Sequence, residues 1–279
     1  MSPRKGHRLR PIEIKEFHTP SSGIFFKARR RLLVEKTPYQ VLEIVENDSF
    51  GRVLLLDGLV QTTERDEFFY HEMLVHPAMM THPNPREVLI IGGGDGGALR
   101  EVLRYRVQRA VLVEIDRRVV EACRKYFPLL ASSFRDPRAE VRIEDGNGYI
   151  RQTRASFDVI LVDSSDPLGP SAVLHQRRFY AGLKERLQPG GVIAGQAGSP
   201  LFHLDLLRRK RAFLKRFFRF SLYYCGPAPT YPGGLWSYAY LSDKIDPLRA
   251  LKKKPPAGLK YYNADVHRGA FALPEFLNK

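Results

Sequence analysis

The chain has 279 residues, of which 43% are hydrophobic and 27% are charged, and its formal net charge is +15 at pH 7. The two fractions are ordinary for a globular protein of one large or two modest domains, whereas the net charge raises the question of a nucleic-acid partner. No apolar run approaches the roughly 18 residues of a transmembrane helix. The basic residues 3–10 lack the apolar stretch of a secretory signal. Cys123 and Cys225 make no disulfide framework, and no Cys/His spacing resembles a zinc site. We therefore expect a cytoplasmic protein with reduced thiols and no metal.

The first 65 residues predict β structure. Residues 31–36 and 39–45 are strand-like, and turn residues at 47–51 precede a third strand-like run at 52–60. From residue 66 the pattern changes: residues 68–80 suit a helix, which Pro83 and Pro85 end. This change predicts a small N-terminal antiparallel β domain, residues 1–65, followed by a second domain, residues 66–279.

Strands alternate with helices in the second domain. The predicted strands are 88–91, 110–114, 141–144, 158–162 and 191–196, and the predicted helices are 98–105, 117–127 and 178–187. Such alternation is typical of an α/β fold with a mostly parallel sheet between two helical layers. The aromatic segments 218–225 and 235–242 suit an antiparallel pair at the end of that sheet.

Between the last predicted helix and these segments, residues 208–211 and 215–216 concentrate arginine and lysine, within a helix-like segment whose apolar residues, from Leu206 to Phe217, recur at helical spacing. Such charges usually face solvent on a helix, and no aromatic residues alternate with these arginines to stack nucleic-acid bases. The pattern favours a solvated helix face over a nucleic-acid partner.

A glycine loop follows the strand at 88–91. Gly92, Gly94 and Gly97 fit the G-x-G-x-x-G spacing, which lets the backbone approach a nucleotide-like ligand closely. Glu114 ends the next strand, where such folds place an acid on ribose hydroxyls. Asp95 in the loop would repel a pyrophosphate. The loop therefore disfavours an NAD dehydrogenase and favours a cationic adenosine derivative.

Acidic residues also follow the later strands. Ligands of open α/β sheets bind beyond the carboxyl ends of the strands, and four successive ends carry Asp95, Glu114, Asp145, Asp163 and Asp166. Any one of them has a structural explanation, since Asp-Gly and Asp-Pro form turns and Asp caps helices. All five together, in a chain of net charge +15, favour a polycationic ligand.

The ordered motifs of the chain resemble those of spermidine synthases. The matching segments are Glu35-Lys36-Thr37-Pro38-Tyr39-Gln40, Leu56-Asp57-Gly58, Asp66-Glu67-Phe68-Phe69-Tyr70-His71-Glu72, residues 92–97, Glu114-Ile115-Asp116, Asp145-Gly146, residues 163–167 with Gly169-Pro170, Pro229-Thr230-Tyr231-Pro232, Tyr261-Tyr262-Asn263 and residues 271–274. A single glycine loop is weak evidence, whereas this ordered set, from about residue 30 to the end, is specific.

The resemblance implies the Rossmann-like fold of class I methyltransferases and the transfer of an aminopropyl group. The donor would be decarboxylated S-adenosylmethionine, a co-substrate rather than a cofactor, and the acceptor putrescine, giving spermidine and methylthioadenosine. Both reactants are cations, which suits the acids. The resemblance also implies a homodimer or homotetramer.

The resemblance assigns residues to two halves of the site. The nucleoside half would consist of Gln40, Gly92, Gly94, Asp95, Glu114, Ile115, Asp145, Gly146 and Pro170. The amine half would consist of Gln61, Tyr70, His71, Asp95, Asp163, Asp166, Tyr231 and Trp236. Within these sets, Glu114 would hold the ribose hydroxyls, Asp145 the adenine amino group and Asp95 the ammonium of the aminopropyl arm.

The chemistry requires a base. An alkylammonium has a pKa of about 10.4, so the acceptor nitrogen must lose a proton before it can attack the carbon beside sulfur. We expect Asp163 to take that proton. The loop from Asp163 to about Gln176, rich in Ser, Gly and Pro, is predicted to close over the substrates; an inert surface loop is the alternative.

Other functions stay open at this stage. His175 and Gly233 depart from the expected amine-side residues, so cadaverine, agmatine, a norspermidine-type amine or spermidine are alternative acceptors. A protein or nucleic-acid methyltransferase would share the glycine loop, but those that modify bases favour an Asn/Asp-Pro-Pro-Tyr/Phe loop where this chain has Asp163-Ser164-Ser165-Asp166-Pro167. A non-catalytic polyamine-binding protein would need no nucleoside apparatus.

Overall fold

A computed structural model describes residues 12–164, 169–251 and 253–278, with the side chains of residues 169–171 left out. The chain divides into two compact units, Met1–Arg65 and Asp66–Lys279. Within the described ranges, no helix has both the length and the hydrophobicity of a membrane span.

The first unit is antiparallel β structure. A two-stranded sheet pairs β1 with β2, and a four-stranded sheet has the order β3-β4-β5-β6. The strands are β1 Ile12–Thr19, β2 Ser22–Ala28, β3 Arg30–Lys36, β4 Val41–Asn47, β5 Gly51–Leu56 and β6 Leu59–Thr63.

One strand prediction in this unit is wrong. Residues 52–60 form two strands rather than one, because the chain reverses at Asp57-Gly58 and Leu56 pairs with Leu59. Both turn residues are left-handed, with φ of 51° and 78°. Asp-Gly adopts this backbone readily in a two-residue hairpin turn, so the dipeptide was the signal for a turn inside an otherwise continuous apolar run.

The second unit contains a seven-stranded sheet in the order β12-β13-β11-β10-β7-β8-β9. Strands β11, β10, β7, β8 and β9 run parallel, and β13 pairs antiparallel with both β11 and β12. The mostly parallel sheet with an antiparallel pair at its end is therefore confirmed. The strands are β7 Glu87–Gly92, β8 Arg109–Glu114, β9 Ala139–Ile143, β10 Phe157–Asp163, β11 Leu187–Gly198, β12 Phe220–Pro227 and β13 Leu235–Ser242.

Helices connect these strands. The longer ones are α1 Glu67–Thr81, α2 Gly97–Val102, α3 Arg117–Tyr126, α5 Gly146–Gln152, α6 Arg177–Glu185, α7 Leu204–Phe217 and α9 Ala264–Ala270. Shorter ones are α4 Pro128–Ala131, α8 Pro247–Ala250 and α10 Glu275–Asn278, and 3₁₀ turns span Ser132–Arg135 and Gly169–His175. Helix α5 was not predicted: it is short and glycine-rich, and it begins at the capping residue Asp145.

The central strands are apolar on both faces, so the sheet has a core on each side. Val88 and Ile90 of β7 pack with α1 and α2, whereas Leu89 and Ile91 pack with α5, α6 and α7. Successive strand residues point to opposite faces, which is why the apolar run is continuous. The helices thus fix the strand ends from both sides.

Outside the core, the arginine-rich helix α7 largely follows the predicted solvated face. Arg208, Arg209 and Lys215 are exposed. Lys210 is an exception, because it is buried with its ammonium 5.1 Å from the centre of the Tyr180 ring. Neither Cys123 nor Cys225 forms a disulfide.

Candidate active site

The carboxyl ends of four adjacent strands bring the predicted acids into one row. Strand β7, which precedes the glycine loop and Asp95, lies between β10 and β8, and β9 follows β8. Asp163 ends β10 and Glu114 ends β8, while Asp145 follows β9. The order across the sheet is therefore Asp163, Asp95, Glu114 and Asp145. Sequence order alone does not give this arrangement, because β10 inserts beside β7.

The glycines of the loop make room for protein groups. A Cβ on Gly92, whose φ is +85°, would lie 2.1 Å from the Asp163 carbonyl oxygen. A Cβ on Gly97 would lie 2.2–2.5 Å from three atoms of the His71 ring. The loop thus packs directly against the Asp163 backbone on one side and the His71 ring on the other. The G-x-G-x-x-G spacing predicts close approach to a ligand but does not indicate this packing against protein groups.

Asp163 is the acid that β10 delivers. Its Oδ1 accepts a hydrogen bond of 2.7 Å from the Tyr70 hydroxyl of α1. Burial raises the pKa of Asp163 to about 6, and the charge of Asp95 adds to the rise, while the His71 cation and the Tyr70 hydroxyl oppose it. A carboxylate with this pKa is ionised at neutral pH and accepts a proton more readily than an exposed one.

Asp95 has a different environment. Its Oδ2 lies 3.3 Å from His71 Nε2, and its Oδ1 accepts from the Gly97 amide at 2.8 Å. Burial alone would raise the pKa of Asp95, but the His71 charge and these hydrogen bonds outweigh burial and lower it. The surroundings of Asp163 are thus not uniformly negative, since the His71 imidazolium lies beside Asp95.

His71 is held between two carboxylates. Its Nδ1 lies 2.7 Å from Glu67 Oε2, one helical turn earlier on α1, and its Nε2 faces Asp95. Burial favours the neutral ring, but Asp95 and Glu67 together raise the pKa of His71 well above its usual value. Glu67 is not among the predicted site residues, although its spacing of four residues from His71 on a predicted helix was an available signal.

Glu114 ends β8 beside the loop. Its carboxylate accepts from the amides of Gly94, at 3.2 Å, and Asp116, at 2.9 Å. Burial raises the pKa of Glu114 to about 7, although these two amides act against the rise. Ile115, the next residue, is half-buried.

Asp145 has the structural role of a helix cap, which is the alternative explanation given above for a single aspartate at a strand end. Its side chain accepts from the amides of Asn147, at 3.1 Å, and Gly148, at 2.9 Å, and so caps helix α5. The residue is exposed. Gly146 follows it, and a Cβ there would lie 2.5 Å from Ile91 Cγ2. Capping fixes the direction of this carboxylate at the sheet edge.

Aromatic rings line the side of Asp163 that faces α1. The Tyr70 ring lies 5.6 Å from Tyr231 and 5.7 Å from Tyr238, and Tyr231 lies 4.9 Å from Trp236. The indole N–H of Trp236 and the hydroxyl of Tyr238 are buried with no hydrogen-bond partner in the described part of the chain. Tyr238 was not predicted as a site residue, because an alternating aromatic strand gave it the appearance of core.

The loop that carries Tyr231 is tied to the start of α1. Asp66 Oδ2 accepts from the Thr230 amide at 3.1 Å and from its hydroxyl at 2.8 Å. This contact positions the residue immediately before Tyr231. Asp66 and Thr230 both belong to motif segments noted above, but no sequence pattern indicates that they pair.

The remaining predicted residues belong to other parts of the chain. Gln40 and Gln61 belong to the N-terminal unit. Gln40 precedes β4, and its backbone N–H donates to Thr37 Oγ1 at 3.1 Å. Gln61 is on β6. Asp166 and the side chain of Pro170 lie outside the described residues, as does part of the predicted lid, so these predictions stay predictions. His175 Nδ1 lies 3.5 Å from the buried Lys210 ammonium.

Comparison with known proteins agrees with this geometry. The family model described as the spermine/spermidine synthase domain matches residues 67–253, and that of the spermidine synthase tetramerisation domain matches residues 13–64. A polyamine aminopropyltransferase of Moorella thermoacetica is 44% identical over 273 residues, covering 97% of this chain and 96% of the relative.

Two solved structures are also similar to this chain over nearly its whole length. A spermidine synthase in complex with the transition state analogue AdoDATO has a TM-score of 0.94 and 40% identity, and the match covers 98% of this chain and 97% of that one. Spermidine synthase from Thermotoga maritima has a TM-score of 0.92 at the same identity, covering 98% and 96%. With its glycine loop, row of acids and two family domains, the chain belongs to the spermine/spermidine synthase family.

Proposed function

We propose that the protein transfers the aminopropyl group of decarboxylated S-adenosylmethionine to putrescine, giving spermidine and methylthioadenosine. One observation carries the proposal: a buried carboxylate, Asp163, whose pKa is raised to about 6, lies beside the Asp95–His71 pair. This arrangement offers a proton acceptor next to fixed charges. The family to which the chain belongs supports the aminopropyl group as the group transferred.

The reaction needs few protein groups. The acceptor amine gives a proton to Asp163, and its lone pair attacks the methylene carbon bound to the sulfonium. A carbon–nitrogen bond forms while the carbon–sulfur bond breaks, and its electron pair leaves with sulfur as a neutral thioether. A positioned general base contributes about 10²–10⁴-fold, and holding two cations in line supplies much of the rest.

In the nucleoside half, Glu114 would accept hydrogen bonds from the ribose hydroxyls, since its carboxylate already lies against the glycine loop. Asp145, directed by the cap of α5, would meet the adenine amino group. The other residues of this half would be Gln40, Gly92, Gly94, Ile115, Gly146 and Pro170.

In the amine half, Asp163 would face the attacking nitrogen and Asp95 the ammonium of the aminopropyl arm. Tyr70, Tyr231 and Trp236 would surround the diamine, because aromatic faces attract alkylammonium groups. Gln61, His71 and Asp166 complete the half that we propose.

Putrescine is proposed as the acceptor because an amine site of carboxylates and aromatic rings suits a short diamine. The test is mass spectrometry of products after incubation with decarboxylated or intact S-adenosylmethionine and a panel of amines: putrescine, cadaverine, agmatine and spermidine. We expect spermidine and methylthioadenosine from putrescine and the decarboxylated donor. A methylated product from the intact donor would contradict the proposal, and preference for another amine would correct the acceptor.

Asp163→Asn tests the base directly. We expect turnover to fall by about 10²–10⁴-fold, because the amide cannot accept the proton, while methylthioadenosine still binds. The matched control is Asp243→Asn, which alters an exposed aspartate paired with Lys184. Equal losses in both variants would show that Asp163 is not the base.

The unpaired thiols suit a reducing compartment, so we also propose a cytoplasmic location. The tetramerisation-domain match at residues 13–64 supports a homo-oligomer, and we propose a tetramer rather than a dimer.

A further inference from the structure

A series of charged side chains leads away from the site. Asp95 faces His71, and His71 faces Glu67. Glu67 in turn accepts two hydrogen bonds of 2.9 Å from Arg100 of α2, one on each carboxylate oxygen. Such a bidentate pair fixes the plane of the carboxylate as well as its position.

This series of charged side chains is shielded from solvent. The side chains of Glu67 and His71 are 6% and 3% exposed, and that of Asp95 is 11% exposed. Both ring nitrogens of His71 face carboxylate oxygens. Only the doubly protonated imidazolium can donate to both at once, so the geometry itself requires a cation at His71 when both acids are ionised.

We infer that Glu67, held by Arg100, is a positioning residue that keeps His71 an imidazolium directed at Asp95, so that Asp163 and not Asp95 takes the proton of the amine. This inference rests on the proposed aminopropyl transfer. Neither Glu67 nor Arg100 touches the reacting atoms in it; both act through His71.

Several other charged or titratable groups face this series of side chains. On the site side are Asp163 of β10, Tyr70 of α1, and Cys123 of α3, whose buried thiol is close to Asp95. On the far side, Arg100 also contacts Glu101 at 2.7 Å, and Glu101 contacts His76 and Arg104. The nearest positive charge to Asp95 and Asp163 in this set is His71.

Loss of the Glu67 charge has a predictable sign. Without that carboxylate, His71 has one acid beside it instead of two, so it loses its proton more easily. The His71 charge lowers the pKa of both Asp95 and Asp163. Its loss therefore raises both, and Asp95 begins to compete for protons.

Glu67→Gln and the matched control Glu121→Gln test this. Glu121 pairs with Arg118 on α3 and is 41% exposed. For Glu67→Gln we expect the acidic limb of the kcat/KM profile to move to higher pH, with a loss of about tenfold or more near pH 6 that shrinks towards about pH 8.5. Methylthioadenosine, which lacks the ammonium that Asp95 would hold, should bind with unchanged Kd. An unmoved limb would overturn the inference.

A second measurement takes its deciding value from the unaltered protein. NMR of ¹⁵N-histidine-labelled protein, with His71 assigned by His71→Gln, should show His71 protonated on both nitrogens above pH 7, and Glu67→Gln should lower its titration midpoint. An ordinary midpoint in the unaltered protein overturns the inference even if Glu67→Gln does not fold. This result is independent of turnover, whereas absence of aminopropylated product would remove the proposed function itself.

Discussion

At the residue scale, the surroundings of Asp95 and Asp163 shift the pKa values of these two aspartates in opposite directions. Burial acts on both, yet only Asp95 has a cation in direct contact, through His71 Nε2 at 3.3 Å. The pKa of Asp95 is therefore lowered, whereas that of Asp163 is raised to about 6. One acid is suited to binding a positive charge and the other to accepting a proton. Pairs of acids whose environments separate their pKa values commonly divide such roles.

The raised pKa of Asp163 predicts a pH dependence. As a base, Asp163 must be unprotonated, so kcat/KM should rise with pH through about 6 and level off above that value. Measurement of initial rates with saturating donor across this range checks the prediction. Asp243→Asn should leave the profile unchanged. A limb near the ordinary aspartate value, about 3.9, would contradict the assignment.

Glu114 predicts a cost in stability. Its pKa in the folded protein is raised to about 7 by burial, and an acid with a raised folded pKa stabilises the fold when protonated and loses that contribution as pH rises. Glu114→Gln has no such loss. Its free energy of unfolding relative to the unaltered protein should therefore grow by up to about 3 kcal/mol between about pH 4.5 and 7.

Urea unfolding at a series of pH values measures this difference. Glu121→Gln, on an exposed side chain, serves as the control and should show no such trend. A difference that falls or stays flat over the same range would contradict the prediction. If Glu114 accepts from both ribose hydroxyls as proposed, Glu114→Gln should also weaken methylthioadenosine binding, because the amide has one acceptor oxygen instead of two.

At the scale of elements, the approach of α1 to the glycine loop holds the site together. Gly97, the first residue of α2, lies directly against the His71 ring of α1. Helix α1 is buried along nearly all its length, and its polar residues Glu67, His71, Glu72 and His76 are each hydrogen-bonded inside. Any side chain on Gly97 therefore moves His71, and with it the charge beside Asp95.

Gly97→Ala tests this packing. A Cβ would meet the His71 ring at 2.2–2.5 Å, so we expect a loss of about 1–3 kcal/mol in the free energy of unfolding together with reduced kcat/KM. Gly269→Ala in α9 is the control, because no atom lies within 4 Å of its Cβ position. That variant should be neutral or more stable by up to about 1 kcal/mol. Equal stability of the two variants would rule out the packing role.

At the scale of the whole molecule, the N-terminal unit exposes large apolar side chains. Phe17 of β1 and Phe25 of β2 are 66% and 67% exposed. Phe25 pairs with Lys15, two residues from Phe17, so both rings lie on one face of the hairpin. A face of this kind suits contact with another copy of the chain, and it lies within the segment that matches the tetramerisation domain.

Phe17→Ser combined with Phe25→Ser should therefore lower the oligomeric mass measured by light scattering after size exclusion, whereas the proposed tetramer predicts four times the chain mass for the unaltered protein. Leu129→Ser is the control: Leu129 is 82% exposed but lies in the second unit, on α4. An unchanged mass in the double variant would show that this face is not the contact.

The sequence by itself determined the alternation of strands and helices, the mostly parallel sheet and the acids at its carboxyl edge. These follow from local patterns: apolar runs of strand length, helical periodicity and turn residues. It left out β1, β2 and α5 as separate elements and merged β5 with β6, because a two-residue turn or a short glycine-rich helix leaves little trace in periodicity.

Only the tertiary structure decided which acid accepts a proton more readily. Asp95 and Asp163 are both aspartates after strands, and no sequence pattern distinguishes their protonation. The distinction comes from His71, Glu67 and Arg100, which α1 and α2 bring to one side of the loop. Electrostatic interactions depend on distance and burial in three dimensions, so the roles of identical residues become visible only when the chain is folded.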